Sequence, residues 1–284
     1  MITIGGALAT AVLWSIAGFA SAIAGRTIGP YVALAWVNGI ALLLAVPAAL
    51  IVDGVPHDVP ASDLGWAVVF GLASAGALGC AFGSMTIGPV GLVAPVISTE
   101  GAVAALIGLA LGESIAGWTG AALGIVVVGI VRSATETGAD GLRAVRGANR
   151  KALLIAGAAA VLFGLTLVAG SRADALGPLW TVAISRAIGI VAFSVPVLVR
   201  ARWRRPTGAR WVILANAVAD VTGFSLFIAA TRDGVAIPAV IASQYATLIA
   251  VYGYLRFGER LQRWQWVGVA LTIGGTAIVS ATQQ

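Results

Sequence analysis

Charge is scarce in this sequence, and so are the residues that build soluble active sites. Only 10% of the 284 residues are Asp, Glu, Lys or Arg, while 60% are hydrophobic; ordinary soluble domains are about a quarter charged. A mean hydropathy of +1.00 leaves far more apolar surface than a water-soluble fold can bury. Cysteine occurs once, as Cys80 in an apolar run, which excludes a disulfide framework. Histidine also occurs once, as His57 in the polar stretch VDGVPHDVP. Without paired histidines or a CxxC there is no metal-ligand set to assemble, so neither a metal nor another cofactor is expected. An intramembrane enzyme would need a nucleophile beside a base, and one loop histidine offers neither. The phosphate-binding pattern GxxxxGK[ST] is missing, which argues against direct coupling to ATP.

What is present is a series of apolar runs near 20 residues, the length a helix needs to cross a ~30 Å hydrocarbon layer. Hydropathy and turn residues predict an all-α polytopic membrane protein. Its ten transmembrane helices fall near 3–24, 31–52, 63–86, 89–111, 115–132, 151–171, 177–199, 209–230, 234–256 and 262–281. The opening MITIGGALAT has no basic stretch or clear cleavage site and reads as part of the first span, not a signal peptide. Most connections are short; the polar, basic segment 133–150 separates a first unit, 1–132, from a second, 151–284. The 37 glycines read chiefly as packing residues that let helices approach closely in lipid.

The two units repeat one another. LALGESIAGWTGAALGIVVVGIV, residues 109–131, aligns with LRFGERLQRWQWVGVALTIGGTAIV, residues 255–279: Gly112-Glu113 with Gly258-Glu259, Trp118 with Trp264, Gly129 with Gly275. GPYVALAWVNG at 29–39 likewise pairs with GPLWTVAISRA at 177–187. Five spans per unit is an odd number, so the copies should face opposite ways, an inverted repeat of the kind found in alternating-access transporters. Together with GPVGLVAPV at 88–96 and GVAIPAV at 234–240, these segments resemble the two EamA repeats of the drug/metabolite transporter superfamily. That resemblance covers essentially the whole chain. It implies a carrier of small solutes, often an exporter of amino acids or other metabolites, with a cavity between the halves. Many relatives carry an arginine after the Gly-Pro turn of the second span; here Arg186 holds that place in the second half, and Asn38 in the first.

By these spans, three charged residues fall inside the bilayer: Glu100, Arg186 and Asp220. Each costs at least ~2.5–3.5 kcal/mol to insert, so each should face a partner or a polar interior. Asp220 and Asn216 are four apart and share a helix face. An Arg186–Asp220 ion pair is one reading; substrate contact by one member is the other. Glu100 has no counter-charge on its own helix. It is a candidate for substrate binding or for proton coupling, against a structural hydrogen-bonding role. Asn38, Gln244 and Tyr245 lie at mid-span, as cavity-lining residues or as helix–helix hydrogen bonds. Trp14 could form an aromatic wall or simply fill space. Trp66, Trp118, Trp203, Trp211, Trp264 and Trp266 fall near span ends, as interfacial anchors do. Glu113 and Glu259 sit at helix ends and suit capping.

The expected partners are therefore a small-molecule substrate and the lipid bilayer of a bacterial-type inner membrane. Either a monomer or a homodimer is compatible with the pattern. The net charge of +6 requires no nucleic acid, because basic residues concentrate on cytoplasmic loops. The loops after the first, third, fifth, seventh and ninth spans carry one, none, five, five and three Lys or Arg. The other loops hold only Arg172 and Arg232. That bias puts both termini outside the cytoplasm, whereas resemblance to fused ten-span relatives implies the reverse. A channel, a membrane sensor and a carrier of cationic drugs are the rival functions. An interior with both signs of charge favours an amino acid or similar zwitterion.

Overall fold

The computed structural model describes residues 2–87, 90–114, 117–134, 150–200, 202–249, 251 and 263–282. Among them all regular structure is helical. The α-helices are α1 (Ile2–Ile28), α2 (Pro30–Val52), α3 (Ala61–Ile87), α4 (Val90–Ile97), α5 (Glu100–Ala110), α6 (Gly117–Ala134), α7 (Arg150–Ser171), α8 (Pro178–Val199), α9 (Arg210–Ala230), α10 (Ala236–Ala242) and α11 (Arg263–Thr282). Six of them, α1, α2, α3, α7, α8 and α9, have apolar stretches of 21–26 residues. At 1.5 Å per residue these reach ~31–39 Å, enough to cross a membrane.

The outer surface confirms the medium. Ile51, Val199 and Leu43 are 83%, 80% and 75% exposed, whereas Ala41, Ala45 and Ala49 on the inner face of α2 are fully buried. Leaving large aliphatic side chains in water would cost about 1.5–3 kcal/mol each, so such a surface belongs against lipid. Trp118, Trp211 and Trp264 are exposed near helix ends, where amphipathic rings meet the headgroups.

Packing joins the halves. α1 lies against α9, α3 against α7, α2 against α8, α5 against α10 and α6 against α11. Exchanging each first-half helix for its sequence counterpart (α1 for α7, α2 for α8, α3 for α9) leaves the first three of these pairs unchanged. Local chemistry repeats as well. α2 and α8 both start from a glycine with positive φ, Gly29 at 94° and Gly177 at 81°, followed by proline in the first turn. Proline suits that position because its missing N–H would be unpaired there anyway.

The fourth and ninth spans differ from expectation. Each is read from sequence as one continuous helix, yet both are interrupted, at Ser98-Thr99 and at Ser243-Gln244. At the first break the Val96 carbonyl accepts from the Thr99 N–H at 3.3 Å and from the Thr99 hydroxyl at 2.7 Å. A regular α-helix would offer that carbonyl to residue 100, so the short bonds tighten the turn. At the second break the Ile241 carbonyl accepts from Gln244 at 3.1 Å, and the Ser243 hydroxyl back-bonds to Ala239 at 2.9 Å. Hydropathy does not register such breaks, because Ser and Thr interrupt an apolar run without ending it.

Close helix contact rests on particular glycines. A Cβ on Gly129 would lie 2.6 Å from the Thr272 backbone nitrogen and 2.8 Å from the Gly268 carbonyl oxygen. Gly124, on the same helix, would meet nothing within 4 Å. Gly129→Ala should therefore force α6 away from α11 and cost about 1–3 kcal/mol, while Gly124→Ala should be neutral or slightly stabilising. Melting temperatures of the two detergent-purified variants check this; equal values would show that α6 and α11 are not in register at Gly129.

Candidate functional site

Four helices bring charged or polar side chains to one level. Asn38 is the ninth of 23 residues in α2, Arg186 the ninth of 22 in α8, and Asp220 the eleventh of 21 in α9. That places them ~13–17 Å from a helix end, near the midpoint of each helix. Glu100 joins them because the break at Ser98-Thr99 makes it the first residue of α5. Tyr245 follows the corresponding break in the ninth span.

These residues surround a cavity of about 160 Å³. Its wall includes Trp14, Gly18 and Ser21 of α1, Leu34 and Asn38 of α2, Leu78 of α3 and Glu100 of α5. Phe163 and Leu167 of α7, Arg186 of α8, Asn216, Asp220 and Phe224 of α9, and Tyr245 complete it. Seven of the eight residues singled out from sequence are thus brought together. Gln244 is not. Its amide donates to the Thr276 hydroxyl of α11 at 2.5 Å, so it holds helices together instead of lining the cavity. Gln244 lies in the turn itself, and Tyr245 is the first helical residue after it. The sequence reading missed Ser21, seven residues beyond Trp14, and Phe224, four beyond Asp220. Helical periodicity would have found both.

Arg186 Nε lies 3.1 Å from Asp220 Oδ2, within ion-pair reach. The N–H is not aligned on that oxygen: Arg186 Nε and Nη2 and Asp220 Oδ2 make no hydrogen bond among the described residues. The guanidinium carbon also stands 5.0 Å from the centre of the Phe224 ring, a cation–π contact that holds its plane against the wall. Glu100 accepts a hydrogen bond from the Tyr245 hydroxyl, while its Oε2 is buried without a hydrogen bond among the described residues. Asn216 donates to the Ser21 hydroxyl at 2.8 Å, and Asn38 to the Leu34 carbonyl at 2.8 Å. Trp14 packs against Phe224, Phe227 and Tyr245 with ring centres 4.8, 5.7 and 6.1 Å apart. The aromatic wall is therefore larger than Trp14 alone.

Two carboxylates and one guanidinium give the site a formal charge of −1 when all are ionised. Buried polar atoms without partners are costly, and here both donors and acceptors of that kind face one small space. Such a site suits a ligand that itself carries donors, acceptors and charge.

The sequence matches the EamA-like transporter family over residues 1–135 and 150–281. The chain belongs to the EamA-like transporter family. A crystal structure described simply as that of a protein superposes with a TM-score of 0.77 over 98% of both chains, at 17% identity. That likeness shows a shared fold. Among curated proteins, none matches. This EamA-like chain is thus an integral membrane transporter of the drug/metabolite type, which accounts for a polar cavity inside an apolar bundle.

In this EamA-like transporter the halves are also tied at one end of the bundle. Asp53, just past α2, accepts from the backbone of Leu179 at 2.8 Å and so caps α8. Asp63 in α3 accepts from Ala175 at 2.9 Å. Glu113 accepts from Val235 at 2.9 Å and from Ala236 at 3.2 Å, capping α10. The capping role read for Glu113 therefore holds, but on a helix of the other half. Glu259, its repeat counterpart, lies outside the described residues.

Proposed function

We propose that this protein is a secondary carrier that exports a small zwitterion, most simply an amino acid, by alternating access. In this reading the chain crosses a bacterial-type inner membrane ten times, as two inverted five-helix repeats, 1–132 and 151–284, joined by 133–150. The observation that carries the proposal is the central cavity. Within about 160 Å³ it gathers Glu100, Arg186 and Asp220 together with polar atoms that no described neighbour satisfies. A substrate ammonium would pair with Glu100, a substrate carboxylate with Arg186, and the Trp14–Tyr245 wall would receive the side chain. The broken fourth and ninth spans support the same reading, since discontinuous helices place sites at mid-membrane in many carriers.

Size favours the smaller substrate. Drug-sized ligands occupy pockets of about 300–1,000 Å³, well above this cavity. Proton-coupled efflux of cationic compounds remains the second reading, because the formal charge of −1 would also accept a cation, and a proton could exchange for it on Glu100. A flux screen in proteoliposomes separates the two. Labelled amino acids should exchange while cationic dyes do not; dye transport without amino-acid transport would make the second reading correct.

Orientation follows from charge. With fourteen basic residues on one set of loops and two on the other, both termini should be outside the cytoplasm. A cysteine introduced at Gln284 in a Cys80→Ser background should react with an impermeant maleimide on intact cells. Protection until the cells are lysed would reverse the topology.

A further inference from the structure

A second cavity, of about 770 Å³, opens where the α1–α2 turn meets the end of α8. It lies at the opposite end of the bundle from the Asp53, Asp63 and Glu113 ties. Its rim carries Arg200, Arg202 and Arg204, and among the described residues no Asp or Glu lines it. None of the three arginines has an ion-pair partner among the described residues. The loop that bears them is held in place. The Trp36 indole N–H donates to the Arg204 carbonyl at 2.9 Å, and the Trp36 and Trp203 rings pack with centres 5.1 Å apart. The first turn of α2, just after Gly29, also borders the space. A helix N-terminus adds partial positive charge directed at the same place.

Below the basic rim the lining is apolar, with Tyr31, Ala192 and Pro196 exposed over the buried Val32, Phe193 and Val197. The cavity therefore joins an anion-binding rim to a hydrophobic base at the end of two lipid-facing helices. A free anion would use the rim alone; a phosphate carrying acyl chains would use both. Clusters of arginine at the membrane boundary are where anionic headgroups bind, and guanidinium groups match phosphate oxygens bidentately.

We propose that this cavity binds an anionic phospholipid, with its phosphate on Arg200, Arg202 and Arg204 and the upper acyl chain against Ala192 and Pro196. The site is separate from the central cavity, and the proposal does not depend on what the protein transports. The test uses delipidated full-length protein in mild detergent, with native mass spectrometry and thermal melting. Phosphatidylglycerol should be retained in the mass spectrum and raise the melting temperature by on the order of 5 °C. Phosphatidylcholine and inorganic phosphate at equal concentration should do neither. The Arg200→Gln, Arg202→Gln, Arg204→Gln triple variant should lose the phosphatidylglycerol response, and Arg205→Gln, outside the cavity lining, should keep it. An equal response to phosphatidylcholine would overturn the proposal, as would a triple variant that responds like the wild type. A shift reproduced by inorganic phosphate would reassign the site to a free anion. The wild-type comparison of the two lipids requires no variant, so it decides the matter even if the triple change fails to purify.

Discussion

Glu100→Gln is expected to leave a folded protein whose amino-acid flux falls by about a hundredfold. Glutamine keeps the length of the side chain and can still accept the Tyr245 hydrogen bond, so packing around the break at Ser98-Thr99 survives. What it loses is the negative charge that would hold a substrate ammonium. Hydrogen bonds to a charged group contribute about 1.5–3 kcal/mol, and at 1.4 kcal/mol per factor of ten the upper half of that range corresponds to roughly a hundredfold. The loss should appear in exchange as well as in net flux, because a binding contact is removed. Proteoliposomes reconstituted to equal density provide the measurement. A Gln variant that folds and exchanges amino acids at the wild-type rate would make Glu100 a structural residue.

The second large effect concerns Arg186 and Asp220. Arg186 is almost fully buried and stands 3.1 Å from Asp220. Removing one member of such a pair strands the other charge, which costs about 3–5 kcal/mol in buried settings. Asp220 keeps 16% of its side-chain surface exposed, so the cost should fall at the lower end. Arg186→Ala and Asp220→Ala should each reduce the yield of folded protein and its melting temperature more than the double variant does. Damage that simply adds in the double variant would show that the two side chains do not stabilise one another. Transport gives a separate readout. The double variant, even when folded, should fail to bind substrate, because Arg186 is the one cation among the described residues that line the central cavity.

The site and the fold were legible in the sequence to different degrees. Helices α1, α2, α3, α7, α8 and α9 stand out because each is an uninterrupted apolar run, and a lone charge in such a run announces a polar interior. Glu100, Arg186 and Asp220 were visible for that reason. Gln244 shows the limit of the method. Its position at mid-span says how deep it lies, but only the helix phase beyond the Ser243-Gln244 turn decides which way it faces, and hydropathy carries no phase. Ser21 and Phe224 sit on the same helical faces as Trp14 and Asp220, but neither carries a charge that marks it within an apolar run. Asp53 and Asp63 read as ordinary loop charges, since their partners Leu179 and Ala175 lie 126 and 112 residues away. Contacts at that separation follow from how the halves pack, which no local pattern encodes.

The claim that the central cavity holds a zwitterion is tested most directly by equilibrium competition on the purified protein. A labelled amino acid that exchanges in proteoliposomes would be displaced by its unlabelled form, by its carboxamide and by its N-acetyl derivative. The carboxamide lacks the group meant for Arg186, and the acetylated form lacks the ammonium meant for Glu100. Each blocked analogue should compete at least about tenfold more weakly than the parent, since each forfeits a charge-assisted contact of about 1.5–3 kcal/mol. A carboxamide or an acetylated analogue that competes as well as the parent amino acid would contradict the assignment.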